Sequence, residues 1–162
     1  MQNTFTTEGK IFTREMLARQ TQIWRAQGET IAFTNGCFDL LHAGHIASLE
    51  AARSYGTLLI VGLNSDDSVR RLKGPERPLN TEVNRARVLA ALACVDAVTI
   101  FSEDTAIATL GILQPHVYVK GGDYRVEELP EREAVESYGG RIVIGPLVPG
   151  LSTSGLIDAA RS

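Results

Sequence analysis

The stretch Thr34-Asn35-Gly36-Cys37-Phe38-Asp39-Leu40-Leu41-His42-Ala43-Gly44-His45 gathers residues suited to one chemistry. That chemistry is holding phosphate groups and stabilising the charge that develops when one is transferred. His42 and His45 are two of the chain's three histidines. Three positions apart, they fall on one face of a first helical turn. Gly44 removes the side chain that would crowd a bound phosphate, and Gly36 lets a ligand approach the backbone. A helix opening at this point offers unpaired N–H groups and the positive end of its dipole. A single histidine at a helix start is usually a surface residue; two behind a strand and a glycine turn favour the phosphate reading. Zinc is the competing chemistry, with Asp39 as a nearby carboxylate, but no further ligand set accompanies it. No protein-held metal is expected.

Other segments add donors and cations. Ser152-Thr153-Ser154 opens a predicted helix, where hydroxyls either cap the helix or bind phosphate oxygens. Lys73 and Lys120 are point charges suited to phosphate. Gly121-Gly122 allows close backbone approach, and Asp123 accepts hydrogen bonds from hydroxyls. Asp66 either binds a nucleotide hydroxyl or caps its helix. Cys37 lies in the first loop as a small side chain, and nothing around it marks it as a nucleophile.

These residues need a frame. The pattern predicts a loose arm over residues 1–12 and a helix from Thr13 to about Gln27. Strands follow at 30–34, 58–63, 97–101, 116–119 and 141–144. Helices are predicted at 45–55, 66–72, 81–93, 104–113, through the Glu-rich stretch to Tyr138, and at 154–160. Residues 73–80 read as a loop. Strands alternating with helices specify an α/β fold, a single Rossmann-like doubly wound parallel sheet. Residues 1–29 form an N-terminal arm and helix, and residues 30–162 the domain proper. Ligands of such sheets sit beyond the carboxyl ends of the strands, which directs attention to the loops after Phe33, Leu63 and Val119.

The bulk properties are consistent with this frame. The chain has 162 residues, a net charge of −3 and 22% charged residues. That balance provides no field to attract nucleic acid. No apolar run approaches a membrane span, and no signal-peptide core precedes the first helix. A cytoplasmic protein is expected. The cysteines Cys37 and Cys94 lack metal-ligand spacing.

The pattern Gly36-x-Phe38-Asp39-x-x-His42-x-Gly44-His45 resembles the signature of the cytidylyltransferase-like nucleotidyltransferases. The resemblance implies in-line attack of an acceptor phosphate on the α-phosphorus of a nucleoside triphosphate, with pyrophosphate leaving. It places His42 and His45 on the phosphates and magnesium across the triphosphate. Ser152, Thr153 and Ser154 resemble the family's second phosphate segment, and Arg85 resembles an arginine that reaches the triphosphate from its helix. Asn64-Ser65-Asp66, Lys73-Gly74-x-x-Arg77-Pro78-x-Asn80 and Lys120-Gly121-Gly122-Asp123-Tyr124 resemble the branch that transfers AMP from ATP to D-glycero-β-D-manno-heptose 1-phosphate. That branch implies Lys73 as a third catalytic residue. The segments from Thr34 to Asp39, with Gly44, Asn64, Asp66 and Lys120 to Asp123, become nucleotide-binding. It also implies a heptose kinase and phosphatase on separate proteins, and a homodimer is expected from related enzymes. The alternatives are a glycerol 3-phosphate cytidylyltransferase and a nucleotide sensor without turnover. An NAD(P) oxidoreductase is disfavoured, because HxGH stands where GxGxxG would be needed.

Overall fold

The computed structural model describes residues 6–146 and 153–161. Six strands form one sheet in the order β1-β4-β3-β2-β5-β6. They are β1 (Ile11–Phe12), β2 (Ile31–Gly36), β3 (Leu58–Asn64), β4 (Ala97–Phe101), β5 (Val117–Gly121) and β6 (Arg141–Gly145). Every pairing is parallel. The strands read as nearly continuous apolar runs because both faces of the sheet are covered.

Alternate residues supply the two faces. Ala32, Leu59, Val61, Val98 and Val117 pack with α2 (Ala43–Arg53) and α4 (Glu82–Ala90). Ile31, Phe33, Ile60, Ala97 and Tyr118 pack on the opposite face with α1 (Arg14–Ala26), α5 (Ile107–Leu113) and α6 (Arg132–Ser137). Strand order reverses between β2 and β5, which are neighbours in the sheet. The loops after these two strands therefore open at the switch point, where a doubly wound sheet leaves a crevice.

The segment before residue 30 is more integral than the predicted arm. Residues Thr7–Lys10 form a 3-10 turn, β1 pairs with β4, and Leu17 of α1 is fully buried in the core. Lys10 Nζ donates to the Val95 carbonyl at 2.7 Å, which ties the turn to the loop before β4. The helix predicted from Asp104 begins only at Ile107; Arg71 Nε donates to Asp104 Oδ1 at 2.8 Å and holds that residue outside it. Among the described residues, no helix is long and apolar enough to cross a membrane.

Candidate active site

The first loop leaves β2 at Gly36. Phe38 adopts the left-handed conformation with φ 44°, an uncommon choice for a bulky residue. The turn brings the Phe38 ring beside His45, with centroids 5.4 Å apart, and leads straight into α2. His42 is the N-cap of that helix and His45 its third residue. Their rings stack, with centroids 3.9 Å apart and planes at 27°. The expected shared face is thus realised as direct ring contact.

The hydrogen bonding orients His45. Its Nδ1 accepts the His42 backbone N–H at 3.4 Å. In the neutral ring the proton then sits on Nε2, leaving that atom as a donor. Burial, followed by the neighbouring His42, lowers the His45 pKa to about 4. His42 Nδ1 is buried and has no hydrogen-bond partner. Gly44, between the two histidines in sequence, is buried as well. The third histidine has a structural task instead: His116 Nδ1 accepts the Ile31 N–H at 2.9 Å at the start of β2.

A second loop, residues 74–80, is tied to the first. It follows α3 (Asp66–Lys73), a helix with Asp66 and Asp67 in its first turn and Arg70, Arg71 and Lys73 in its last. Those charges oppose the helix dipole at each end, and Gly74 at φ 101° terminates it. Asp39 was expected to face the nucleotide. Its side chain is 1% exposed and accepts from Arg77 Nε at 2.6 Å. It also accepts the N–H groups of Leu79 at 2.9 Å and Asn80 at 3.0 Å. Burial pushes this carboxyl up, but the Asn80 and Leu79 N–H groups and the Arg77 guanidinium prevail and hold it below its usual value. Asp39 pins one loop to the other.

Arg85 also departs from expectation. Its side chain is fully buried. It donates to the carbonyls of Asn80 at 2.9 Å, Cys37 at 2.6 Å and Asn64 at 2.9 Å, and to Asp66 Oδ1 at 2.7 Å. The guanidinium buttresses three loops from beneath, with Nε, Nη1 and Nη2 all donating within the fold. Asp66 and Asn64 are engaged by the same framework. Asp66 pairs with Arg85, and Asn64 Nδ2 donates to Ser68 Oγ at 2.9 Å. Ser65 caps α3, the role considered for Asp66. Burial pushes the Cys37 thiol up against the pull of nearby Lys73, Arg85 and Arg77, which leaves it a poor nucleophile.

An open cleft of about 440 Å³ lies beside these loops, lined by Lys73, Gly74, Arg77, Ser154, Ile157 and Asp158 among others. Its far wall is α7 (Thr153–Arg161). Thr153 Oγ1 donates to the Leu40 carbonyl at 3.2 Å, docking the start of α7 on the first loop. Ser154 is exposed on the cleft. Ser152 lies outside the described residues. The structure therefore gathers the first loop, Lys73, Arg77 and α7, although the histidine rings do not line the cleft itself.

Across the switch point, Asn35 of β2 meets β5: Tyr118 donates its hydroxyl to Asn35 Oδ1 at 2.8 Å. Thr34, one residue earlier, is buried in the strand. Lys120 ends the strand with Gly121, and Gly122 follows at φ 119°. Asp123 is exposed. One residue of the cleft was missed from sequence: Arg77 was visible only as part of a loop pattern.

Among the described residues, no group of three or more His, Cys, Asp or Glu side chains could hold a metal ion. The carboxylates of Asp39 and Asp66 are taken by Arg77 and Arg85.

A family model described as cytidylyltransferase-like matches residues 33–153. The chain is 53% identical over 152 residues to the bifunctional protein HldE of Pelobacter propionicus, and 52% over 156 residues to that of Geotalea uraniireducens. Those alignments cover 94% and 96% of this chain but only 31% and 32% of the relatives. The chain thus spans about a third of the length of the curated relatives it matches. Among solved structures, the lipopolysaccharide core biosynthesis protein of Thermoplasma volcanium matches with a TM-score of 0.63 and 26% identity, covering 75% of this chain and 99% of that one. Pantothenate synthetase of Thermus thermophilus matches with a TM-score of 0.64 at 16% identity, over 91% of this chain and 67% of that one, a likeness of fold alone.

Proposed function

The chain belongs to the cytidylyltransferase-like family of nucleotidyltransferases, and from that premise we propose that it transfers AMP from ATP to D-glycero-β-D-manno-heptose 1-phosphate, giving ADP-heptose and pyrophosphate. The observation that carries the reaction class is the stacked His42–His45 pair at the opening of α2, beside the switch point. The choice of adenine and heptose rests on the Asn64-Ser65-Asp66, Lys73 to Asn80 and Lys120 to Tyr124 segments, together with the HldE relatives.

A sugar-phosphate oxygen attacks the α-phosphorus of ATP, the bond from that phosphorus to the bridging oxygen breaks, and pyrophosphate leaves. No covalent enzyme intermediate forms. The α2 N-terminus and His45 Nε2–H donate to phosphate oxygens as negative charge moves onto the leaving group. Lys73 and Ser154 meet the phosphates from the cleft side. Arg85 and Asp39 act indirectly, by fixing the loops that carry these donors. Magnesium supplies charge neutralisation on the triphosphate. It would arrive on the nucleotide, since such ions are held largely by substrate phosphates and water. The acceptor must already be phosphorylated, which requires a kinase earlier in the route; the resemblance to the heptose branch adds a separate phosphatase and places the route in the cytoplasm, where ATP is available.

The test is pyrophosphate release with magnesium, pairing ATP, CTP, GTP and UTP with heptose 1-phosphate or glycerol 3-phosphate. Release with ATP and heptose 1-phosphate is expected. Release with CTP and glycerol 3-phosphate would overturn the substrate and keep the mechanism. Nucleotide binding without release from any pair would replace the enzyme by a sensor.

A further inference from the structure

Glu131 stands at the N-cap of α6, yet its side chain makes no capping hydrogen bond. It is 2% exposed. One oxygen, Oε1, lies 3.7 Å from Lys120 Nζ; the other, Oε2, is buried with no hydrogen-bond partner. Burying a carboxylate so incompletely paired is costly, and an apolar residue of similar volume would serve packing better. Lys120 gives the position its meaning. Its ammonium lies 5.5 Å from the centroid of the Tyr124 ring and 6.0 Å from that of Tyr118. Those distances suit attraction between a cation and aromatic faces. The Tyr118 phenol is held protonated by burial and, next, by the Glu131 charge, and it donates to Asn35 at the end of β2. Glu131 thus connects the end of β5 to the root of the first loop.

We propose that Glu131 is a positioning residue of the transfer reaction, which holds the Lys120 ammonium between the Tyr118 and Tyr124 rings at the switch point so that it meets a phosphate group of a substrate. The inference rests on the nucleotidyl-transfer reading above. Lys120 is a flexible four-carbon arm, and its fixed position lowers the ordering cost of meeting that phosphate.

Kinetics of Glu131→Gln, Lys120→Met and the double variant, in the full chain, test it. Glu131→Gln is expected to raise KM for ATP or for the sugar 1-phosphate by about tenfold, and Lys120→Met to raise KM for the same substrate. The double variant should be no worse than Lys120→Met, because residues acting as one unit are not additive. A structural role would lower the melting temperature and leave KM unmoved. Additive effects, an unchanged KM in folded Glu131→Gln, or tighter binding in that variant would each overturn the proposal. Should Glu131→Gln fail to fold, Glu131→Asp, with charge kept and reach shortened, carries the same comparison. A wild-type protein inactive with every substrate pair would sink the parent reading; an active wild type with an indifferent Glu131 would sink this inference alone.

Discussion

Arg85 and Asp66 are joined at 2.7 Å beneath the loops of the site, with the guanidinium closed off from solvent. The same guanidinium holds the carbonyls of Cys37, Asn64 and Asn80, so one cation fixes the chain after β2, after β3 and before α4. Arg85→Met is therefore expected to act first on stability. It leaves Asp66 and three carbonyls without their donor, at a cost of about 3–5 kcal/mol. Urea unfolding measures it. Full stability combined with weakened ATP binding would restore the direct phosphate role.

Asp39→Asn removes the charge that gathers Arg77 and the backbone of Leu79 and Asn80. The loop of residues 74–80 is expected to loosen, with a stability loss of about 3 kcal/mol. Faster amide exchange at Leu79 and Asn80 is the direct readout. Exchange as slow as in the wild type would show that the loop is held by other contacts.

His45→Ala is expected to fold normally and to lose turnover by a factor on the order of 10²–10³, the cost of removing one donor to developing charge. Steady-state kinetics beside a melting curve separates the two effects. Near-normal turnover in the folded variant would remove His45 from the mechanism.

The lowered pKa of His45, about 4, sets the direction of a pH effect. An unfolded histidine takes up a proton near pH 6.5, whereas His45 in the folded chain stays neutral down to about pH 4. The unfolded state binds more protons in that window, so this contribution is full above pH 6.5 and is lost as the pH falls towards 4. His116 is shifted in the same direction by burial and then by Arg25. The melting temperature of the wild type should therefore fall between pH 6.5 and 4 more steeply than that of His45→Gln. Parallel curves would contradict a half-buried ring held neutral.

Thr153→Val keeps the shape and removes the hydroxyl that donates to the Leu40 carbonyl. A stability loss of about 1 kcal/mol is expected, with KM for ATP raised as α7 loses its register on the first loop. A change in stability with ATP affinity untouched would assign Thr153 to capping and docking only.

Much of this molecule was legible in its residues. The apolar runs at Ile31, Leu58 and Val117 specify buried parallel strands because both faces of such a sheet are covered. Local signals marked the first loop: a glycine turn, two histidines three apart and a helix start. These depend on short-range geometry, which spacing along the chain records. Spacing does not record which charged side chains meet across the fold. Asp39 and Arg77 are 38 positions apart, and Arg85 reaches back 48 positions to the Cys37 carbonyl. Read as a chain, Asp39 and Arg85 look like ligands for a nucleotide; folded, Asp39 is bonded by Arg77 and the backbone of Leu79 and Asn80, and Arg85 by Asp66 and three carbonyls. Glu131 shows the same limit, since one acid among several becomes a buried partner of Lys120 only where β5 and α6 converge. Sequence determined the strands from β2 to β6 and most of the helices, because those follow from local backbone preferences and periodicity. Tertiary structure alone decided which charges line the cleft and which are buried in the scaffold, because burial and pairing between distant segments set that division.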